Sequence, residues 1–285
     1  MTLRLDDGMS VRGRIKGKKN KPVCGDLVAA EPIENEPEWL ITGIAERRNA
    51  LSRPNLRGQA EILAANIDFL CVVAAAKPEP DWFIVDRYLC AAELMQVDAA
   101  VVFNKTDLLE SRDEVDDALA TYRAIDYPAV TVSAKTNDGI DDLATLLAGK
   151  VSIIVGQSGV GKSTIINSLI ADADLRTGDI SQSTGEGRHT TVNSQMLELR
   201  SGGSVIDSPG VRDYAPAIAD IALVAGSFRE LREHAQDCRF ANCQHLKEPD
   251  CAVKGAVESG EINPRRYESY KRLRVLTGQL DRKRR

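Results

Sequence analysis

Two nucleotide-binding motifs stand in this chain in the reverse of their usual order, and that order limits the folds open to it. Asn104-Lys105-Thr106-Asp107 has the form of a guanine-reading loop. It precedes a phosphate loop made of Gly156, Gln157, Ser158, Gly159, Val160, Gly161, Lys162, Ser163 and Thr164, which ordinary guanine-nucleotide folds meet first. Apolar runs at 99–103 and 151–155 lead into the two loops, and an apolar helical stretch follows the second, the strand–loop–helix setting that turns a motif match into a site. A parallel sheet that has been cut and rejoined elsewhere keeps both loops in one pocket.

The rest of the pattern agrees. Residues 69–76, 99–103, 129–133 and 151–155 read as buried strands, and 81–97, 113–124 and 140–147 as helices between them, an alternation that implies a parallel sheet with crossover connections. Before it, short β-type runs at 10–15, 26–30 and 39–46 are punctuated by Gly, Pro and Lys, as in a small barrel. A polar stretch at 171–193 interrupts the alternation, and loops of that length are commonly functional. Strands at 195–200 and 204–207 close the sheet. Beyond 216 the chain turns helical, passes a Cys/His cluster and ends in a basic helix at 264–285. The expected fold is a multidomain α/β protein: an OB-like β-barrel at 1–62, a circularly permuted phosphate-loop GTPase domain at 63–217, and a helical metal-binding domain at 218–285.

Each motif residue has a chemical task. Gly156, Gly159 and Gly161 let backbone N–H groups close around phosphate oxygens at a helix N-terminus. Lys162 reaches the β- and γ-phosphates and the Ser163 hydroxyl ligates Mg²⁺, with Gln157, Ser158, Val160 and Thr164 completing the cradle. The Asp107 carboxylate accepts from the ring imino and exocyclic amino groups of guanine, which adenine lacks, while Asn104 braces the loop, the Lys105 stem lies along the base and Thr106 completes the motif. Ser133, Ala134 and Lys135 follow the next strand and match the second guanine element. Asp207 and Gly210 fit a D-x-x-G switch, and either Thr190 or Thr191 completes Mg²⁺ coordination from the polar loop. Val211 stands where a water-orienting glutamine is usual, so unaided hydrolysis should be slow. His189 is the nearest candidate to place the water, against the plainer reading of a solvated loop histidine.

Three thiols and an imidazole, Cys238, Cys243, His245 and Cys251, have the spacing of one closed, structural Zn²⁺ site. Cys24, Cys71 and Cys90 read as ordinary buried or half-buried thiols, and His234 as a surface or packing residue. The net charge is −5, so any nucleic-acid surface must be local. One such region is Arg12, Arg14, Lys16, Lys18, Lys19 and Lys21. Another is the C-terminal set Arg265, Arg266, Lys271, Arg272, Arg274, Arg282, Lys283, Arg284 and Arg285, set against Glu261, Glu268 and Asp281. Such patches bind phosphate with salt-sensitive affinity, although a charge run is often only a solvated face. No apolar run approaches the roughly 20 residues that span a bilayer, and a cytoplasmic monomer is expected.

Together these residues resemble the circularly permuted, small-ribosomal-subunit-dependent GTPases of the RsgA (YjeQ) type. The resemblance runs from about Gly8 to the end, through 64–68, 84–89, 104–107, 156–164, 187–191, 207–212 and the Cys/His cluster. It implies an oligonucleotide-binding barrel, GTP/GDP, Mg²⁺ and one structural Zn²⁺ as cofactors, and late maturation of the small (30S) subunit, with rRNA contacts and subunit-stimulated hydrolysis. It also implies a catalytic role for the position of His189. Two departures stand out: no first barrel strand is evident before Asp7-Gly8, and Val192 replaces a third switch threonine. A GTP-gated RNA-binding module with little catalysis is the alternative from another class, and a phosphate-loop ATPase or small-molecule kinase a third. The permutation also tethers the Asp207 switch directly to the metal-binding segment, a short path for relaying nucleotide state.

Overall fold

The fold is that of a computed structural model, which describes residues 1–15, 21–55, 59–171, 194–207, 216–218 and 220–284, with side chains described to 282. Its centre is a six-stranded sheet built around β7 (Phe69–Ala75), whose seven residues are all buried. The order is β11-β12-β10-β7-β8-β9. These strands are β8 (Asp98–Asn104), β9 (Ala129–Thr131), β10 (Val151–Gly156), β11 (Gln195–Glu198) and β12 (Ser204–Asp207). All pairs are parallel except β11 with β12. Continuous apolar runs are what a parallel sheet covered on both faces demands, and each buried Val, Leu, Ile or Phe contributes about 1.5–3 kcal/mol.

Helices cover the sheet. These are α1 (Trp82–Met95), α2 (Asp113–Arg123), α3 (Ile140–Leu147) and α4 (Lys162–Leu169). Asp81 caps α1, its Oδ1 accepting from the N–H groups of Phe83 (3.0 Å) and Ile84 (3.3 Å), and Gln96 ends it in a left-handed turn. Asp113, Glu114 and Asp116 open α2 and Arg123 closes it, as the helix dipole favours.

The N-terminal sheet is a half-barrel, with order β1-β2-β4-β3. Its strands are β1 (Thr2–Arg4), β2 (Ser10–Ile15), β3 (Val28–Pro32) and β4 (Glu38–Ile44). A strand therefore does precede Asp7-Gly8, held by the register Leu3 opposite Val11. It is only three residues long, too short for alternation to reveal. A separate hairpin, β5 (Ala50–Pro54) with β6 (Ala60–Ala65), packs Leu51 and Ala64 into the core shared with β7 and α1. It spans residue 62, where the sequence suggests a domain boundary.

After residue 216 come α5 (Leu223–Gly226), α6 (Arg229–Ala235), α7 (Ala252–Ser259) and α8 (Pro264–Arg284). They share a core of Ile218, Val224, Phe228, Leu231, Val253, Ile262, Tyr270 and Leu273 that also takes in Cys90 of α1. Among the described residues, no helix is long and apolar enough to cross a membrane.

Candidate functional site

The phosphate loop leaves β10 at Gly156 and turns into α4 at Gly161. Two glycines are dictated by close approach. A Cβ on Gly156, at φ +139°, would lie 2.1 Å from the Val73 carbonyl oxygen; on Gly161, at φ +93°, it would lie 2.4 Å from Asn104 Nδ2. Lys162 Nζ donates to the carbonyls of Gly156 and Gln157, both at 2.9 Å, which suspends the ammonium over the loop. Ser163 and Thr164 are exposed in the first turn of α4, where the helix dipole favours anions.

The base-reading loop lies directly against this cradle. Asn104, buried at the end of β8, donates from Nδ2 to Val160 O (2.8 Å) and accepts at Oδ1 from Ala134 N–H (3.1 Å), so one side chain ties three motifs together. Lys105 adopts a left-handed backbone, and its Nζ donates to Gly159 O and to Lys77 O, both at 2.6 Å. Thr106 is buried with its hydroxyl on Val132 O. Ser133 Oγ donates to Asp107 Oδ1 at 2.8 Å, and Lys135 Nζ stands 3.9 Å from Oδ2. The carboxylate is thus aimed but keeps acceptor capacity for a base. Motifs 49 residues apart in the text, by the numbers of Asp107 and Gly156, form one cleft.

Asp207 ends β12, next to β10 in parallel register with Ile153 opposite Ile206, so it emerges at the same sheet edge as the phosphate loop. Ser163 and Asp207 are hard oxygen groups at that edge, the donor type that suits Mg²⁺. His189, Thr190, Thr191, Val192, Gly210 and Val211 lie outside the described residues, as does most of the path from Asp207 to the C-terminal helices.

The Cys/His cluster converges as its spacing suggests. One ligand atom from each of Cys238, Cys243, His245 and Cys251 lies within 4.8 Å of the others. Cys238 Sγ is 3.8 Å from Cys251 Sγ, and both are 3.5 Å from His245 Nδ1. A tetrahedron with Zn–S of about 2.3 Å and Zn–N of about 2.0–2.1 Å has edges of about 3.8 and 3.5 Å, so these donors fit zinc. Left-handed residues at His245 and Asp250 fold the segment tightly. Tyr267 and Tyr270 of α8 donate their hydroxyls to the carbonyls of His245 and Gln244, and Glu248 accepts the N–H groups of Gln244, Leu246 and Lys247. The other thiols are structural. Burial pushes Cys24 up to about 11 and Cys71 and Cys90 up to about 12. His234 sits on α6, 3.9 Å from Glu261.

Part of the expected basic surface is consumed internally. Arg12 pairs with Glu38, and Arg14 with Glu36 and Glu38, but both guanidinium groups stay largely exposed on the half-barrel surface. Lys16, Lys18 and Lys19 lie outside the described residues, as do the side chains of Lys283, Arg284 and Arg285. Arg266 is buried and bonds Asp86 on α1 (2.7 Å) and Glu230 on α6 (2.7 Å). Arg265 reaches the other oxygen of Asp86 at 3.2 Å. The Arg266 cation is desolvated, yet the two carboxylates outweigh this and hold its pKa well above the ordinary value. This latch was missed because a lone Asp86 among apolar residues of α1 has no local partner; an acid on a helix's buried face was the only signal.

Comparison with known proteins agrees with this geometry. A family model described as RsgA GTPase matches residues 44–216. The small ribosomal subunit biogenesis GTPase RsgA of Shewanella oneidensis is 39% identical over 278 residues, covering 95% of this chain and 78% of the relative. The protein of the same name from Azotobacter vinelandii is 41% identical over 268 residues, covering 93% and 78%. Among solved structures, YjeQ from Thermotoga maritima superposes with a TM-score of 0.75 at 31% identity, covering 97% of this chain and 93% of that one. YloQ, titled a circularly permuted GTPase, gives 0.72 at 27% identity, covering 96% and 88%. With the phosphate loop and base reader in contact as they are, this chain belongs to the RsgA GTPase family of circularly permuted, GTP-hydrolysing enzymes.

Proposed function

We propose that this protein binds GTP with Mg²⁺, acts on the maturing small (30S) ribosomal subunit, and hydrolyses GTP when the subunit completes its site. The observation that carries the nucleotide reading is the contact of Asn104 with Val160 and of Lys105 with Gly159. The ribosomal reading is supported by relatives named small ribosomal subunit biogenesis GTPases.

In this reading Asp107 selects guanine, flanked by Asn104, Lys105, Thr106, Ser133, Ala134 and Lys135. Lys162 neutralises developing charge on the phosphates, and Mg²⁺ is held by Ser163 and by Thr190 or Thr191, with Asp207 and Gly210 sensing the γ-phosphate. His189 takes part in placing the water. Cys238, Cys243, His245 and Cys251 hold one structural zinc. Residues 1–62, 63–217 and 218–285 are the working units, and the outer two contact rRNA. The protein acts as a cytoplasmic monomer.

Phosphate release under multiple turnover, titrated with purified small and large subunits, tests this. Small subunits should raise the rate at least tenfold and large subunits should not. No stimulation by any small-subunit preparation, with GTP still bound, would leave a GTP-gated RNA-binding module.

A further inference from the structure

The guanine cleft and the C-terminal helix meet around one arginine. The loop between β7 and α1 forms a third wall of the cleft, because Lys105 Nζ bonds the Lys77 carbonyl as well as that of Gly159. That loop ends at the Asp81 cap, and Trp82 opens α1. The Trp82 ring stacks 6.3 Å from Phe103, the residue before Asn104, and lies 5.8 Å from Tyr122. Arg265 of α8 sets its guanidinium 5.4 Å from the Trp82 ring and 5.2 Å from the Tyr122 ring. Its Nη1 donates to Asp86 Oδ2 (3.2 Å) and to the Tyr122 hydroxyl oxygen (3.1 Å).

We propose that Arg265 is a positioning residue for the guanine-nucleotide site, acting through Trp82 on the base-reading strand and on the loop that anchors Lys105. The contact is a cation held over an aromatic face, which is directional and strengthens with desolvation. Displacing the guanidinium frees Trp82 to shift, and with it Phe103 on one side and the 77–81 loop on the other. The joint has room for this. Glu79, Asp81, Trp82 and Phe83 face Arg265, Glu268 and Arg272 across a cavity of about 500 Å³. Arg265 Nη2 is buried without a hydrogen-bond partner, so one arm of the guanidinium is not locked in place. Reciprocity then applies: whatever grips α8 changes nucleotide affinity by the factor with which nucleotide changes that grip. This route runs through α1 and does not use the tether beyond Asp207.

The inference rests on the guanine-site reading, and the test separates the two. The chain has two tryptophans, so Trp39→Phe leaves Trp82 as sole reporter. In that background, affinity for N-methylanthraniloyl-GDP and Trp82 emission with unlabelled GDP are measured for the parent, Arg265→Gln, Arg265→Lys and, as a control on the same helix, Arg274→Gln. Melting temperatures identify folded variants. The expected result is a GDP-dependent change in Trp82 emission, a Kd about fivefold higher in Arg265→Gln, recovery of at least half of that loss in Arg265→Lys, and no change in Arg274→Gln. A Kd for folded Arg265→Gln within twofold of the parent overturns the inference and leaves the site reading standing. If Arg265→Gln does not fold, a Trp82 emission in the parent blind to saturating GDP overturns it. A parent that binds no guanine nucleotide overturns both.

Discussion

Asp107 carries the choice of base through one carboxylate with a defined orientation, since Ser133 takes part of Oδ1 and leaves the rest for a ligand. Asp107→Asn replaces an acceptor of two guanine donors by an amide that repels one of them. The loss of a charged hydrogen bond is worth about 2–3 kcal/mol, roughly 30- to 150-fold in GTP affinity. Xanthosine triphosphate, with a keto group at C2, should gain relative to GTP, and competition binding with both nucleotides checks the pair. Gly161 is the other decisive residue. Gly161→Ala drives a Cβ into Asn104 Nδ2 at a positive φ, which opens the bridge between base loop and phosphate loop. GDP affinity should fall at least tenfold with the melting temperature within a few degrees of wild type, by titration and thermal unfolding.

At the level of elements, α1 does two jobs. Its buried face supports the parallel sheet, while Asp86 and Glu93 hold the C-terminal helices. Asp86 meets Arg265 and Arg266; Glu93 meets Arg229 at 2.7 Å and Arg232 at 3.0 Å. Asp86→Ala leaves buried Arg266 with Glu230 alone and takes an acceptor from Arg265 and Tyr122, so it should destabilise the protein by about 1–3 kcal/mol, seen as a lower denaturant midpoint. Replacing Arg266 and both its carboxylates by apolar groups should cost much less. Glu93 adds a pH dependence. Burial pushes its carboxyl up, but hydrogen bonds from Arg229, Arg232 and Tyr127 outweigh that and hold it below its ordinary value of 4.5. The stabilisation is therefore complete above about pH 4.5 and is lost as pH falls through the lower folded value. Acid unfolding of Glu93→Gln should start from lower stability at pH 7 and be less steep below pH 5.

For the whole molecule, the buried latch means that the C-terminal helices are docked on the GTPase layer rather than swinging from its end. In the proposed coupling, nucleotide state reaches them through the packing of α1 against Arg265. Tyr267 and Tyr270 join the metal cluster to α8. A folded metal site of this kind supplies folding free energy. Chelation in mild denaturant should release one zinc per chain, measured with a colorimetric indicator, and lower the melting temperature by several degrees. A protein with Cys251→Ser should start at that lower value and release none.

The parallel sheet, the phosphate loop, the loop that packs against it at Asn104–Asp107 and the convergence of the four Cys/His residues were legible in the residues alone. Each depends on short-range order: a continuous apolar run, glycines where a Cβ cannot fit, or donors a few positions apart. The helix at 140–147 and the strand at 10–15 were bounded correctly for the same reason. Tertiary structure alone decided that the half-barrel has a short first strand, that Arg265 and Arg266 pair with Asp86, and that the Lys77 carbonyl meets the Lys105 ammonium beside the phosphate loop. Those facts rest on partners far away in the chain, such as Asp86 with Arg266, 180 positions apart. Local pattern records what a residue prefers to be next to, but only the folded chain says which distant group arrives there.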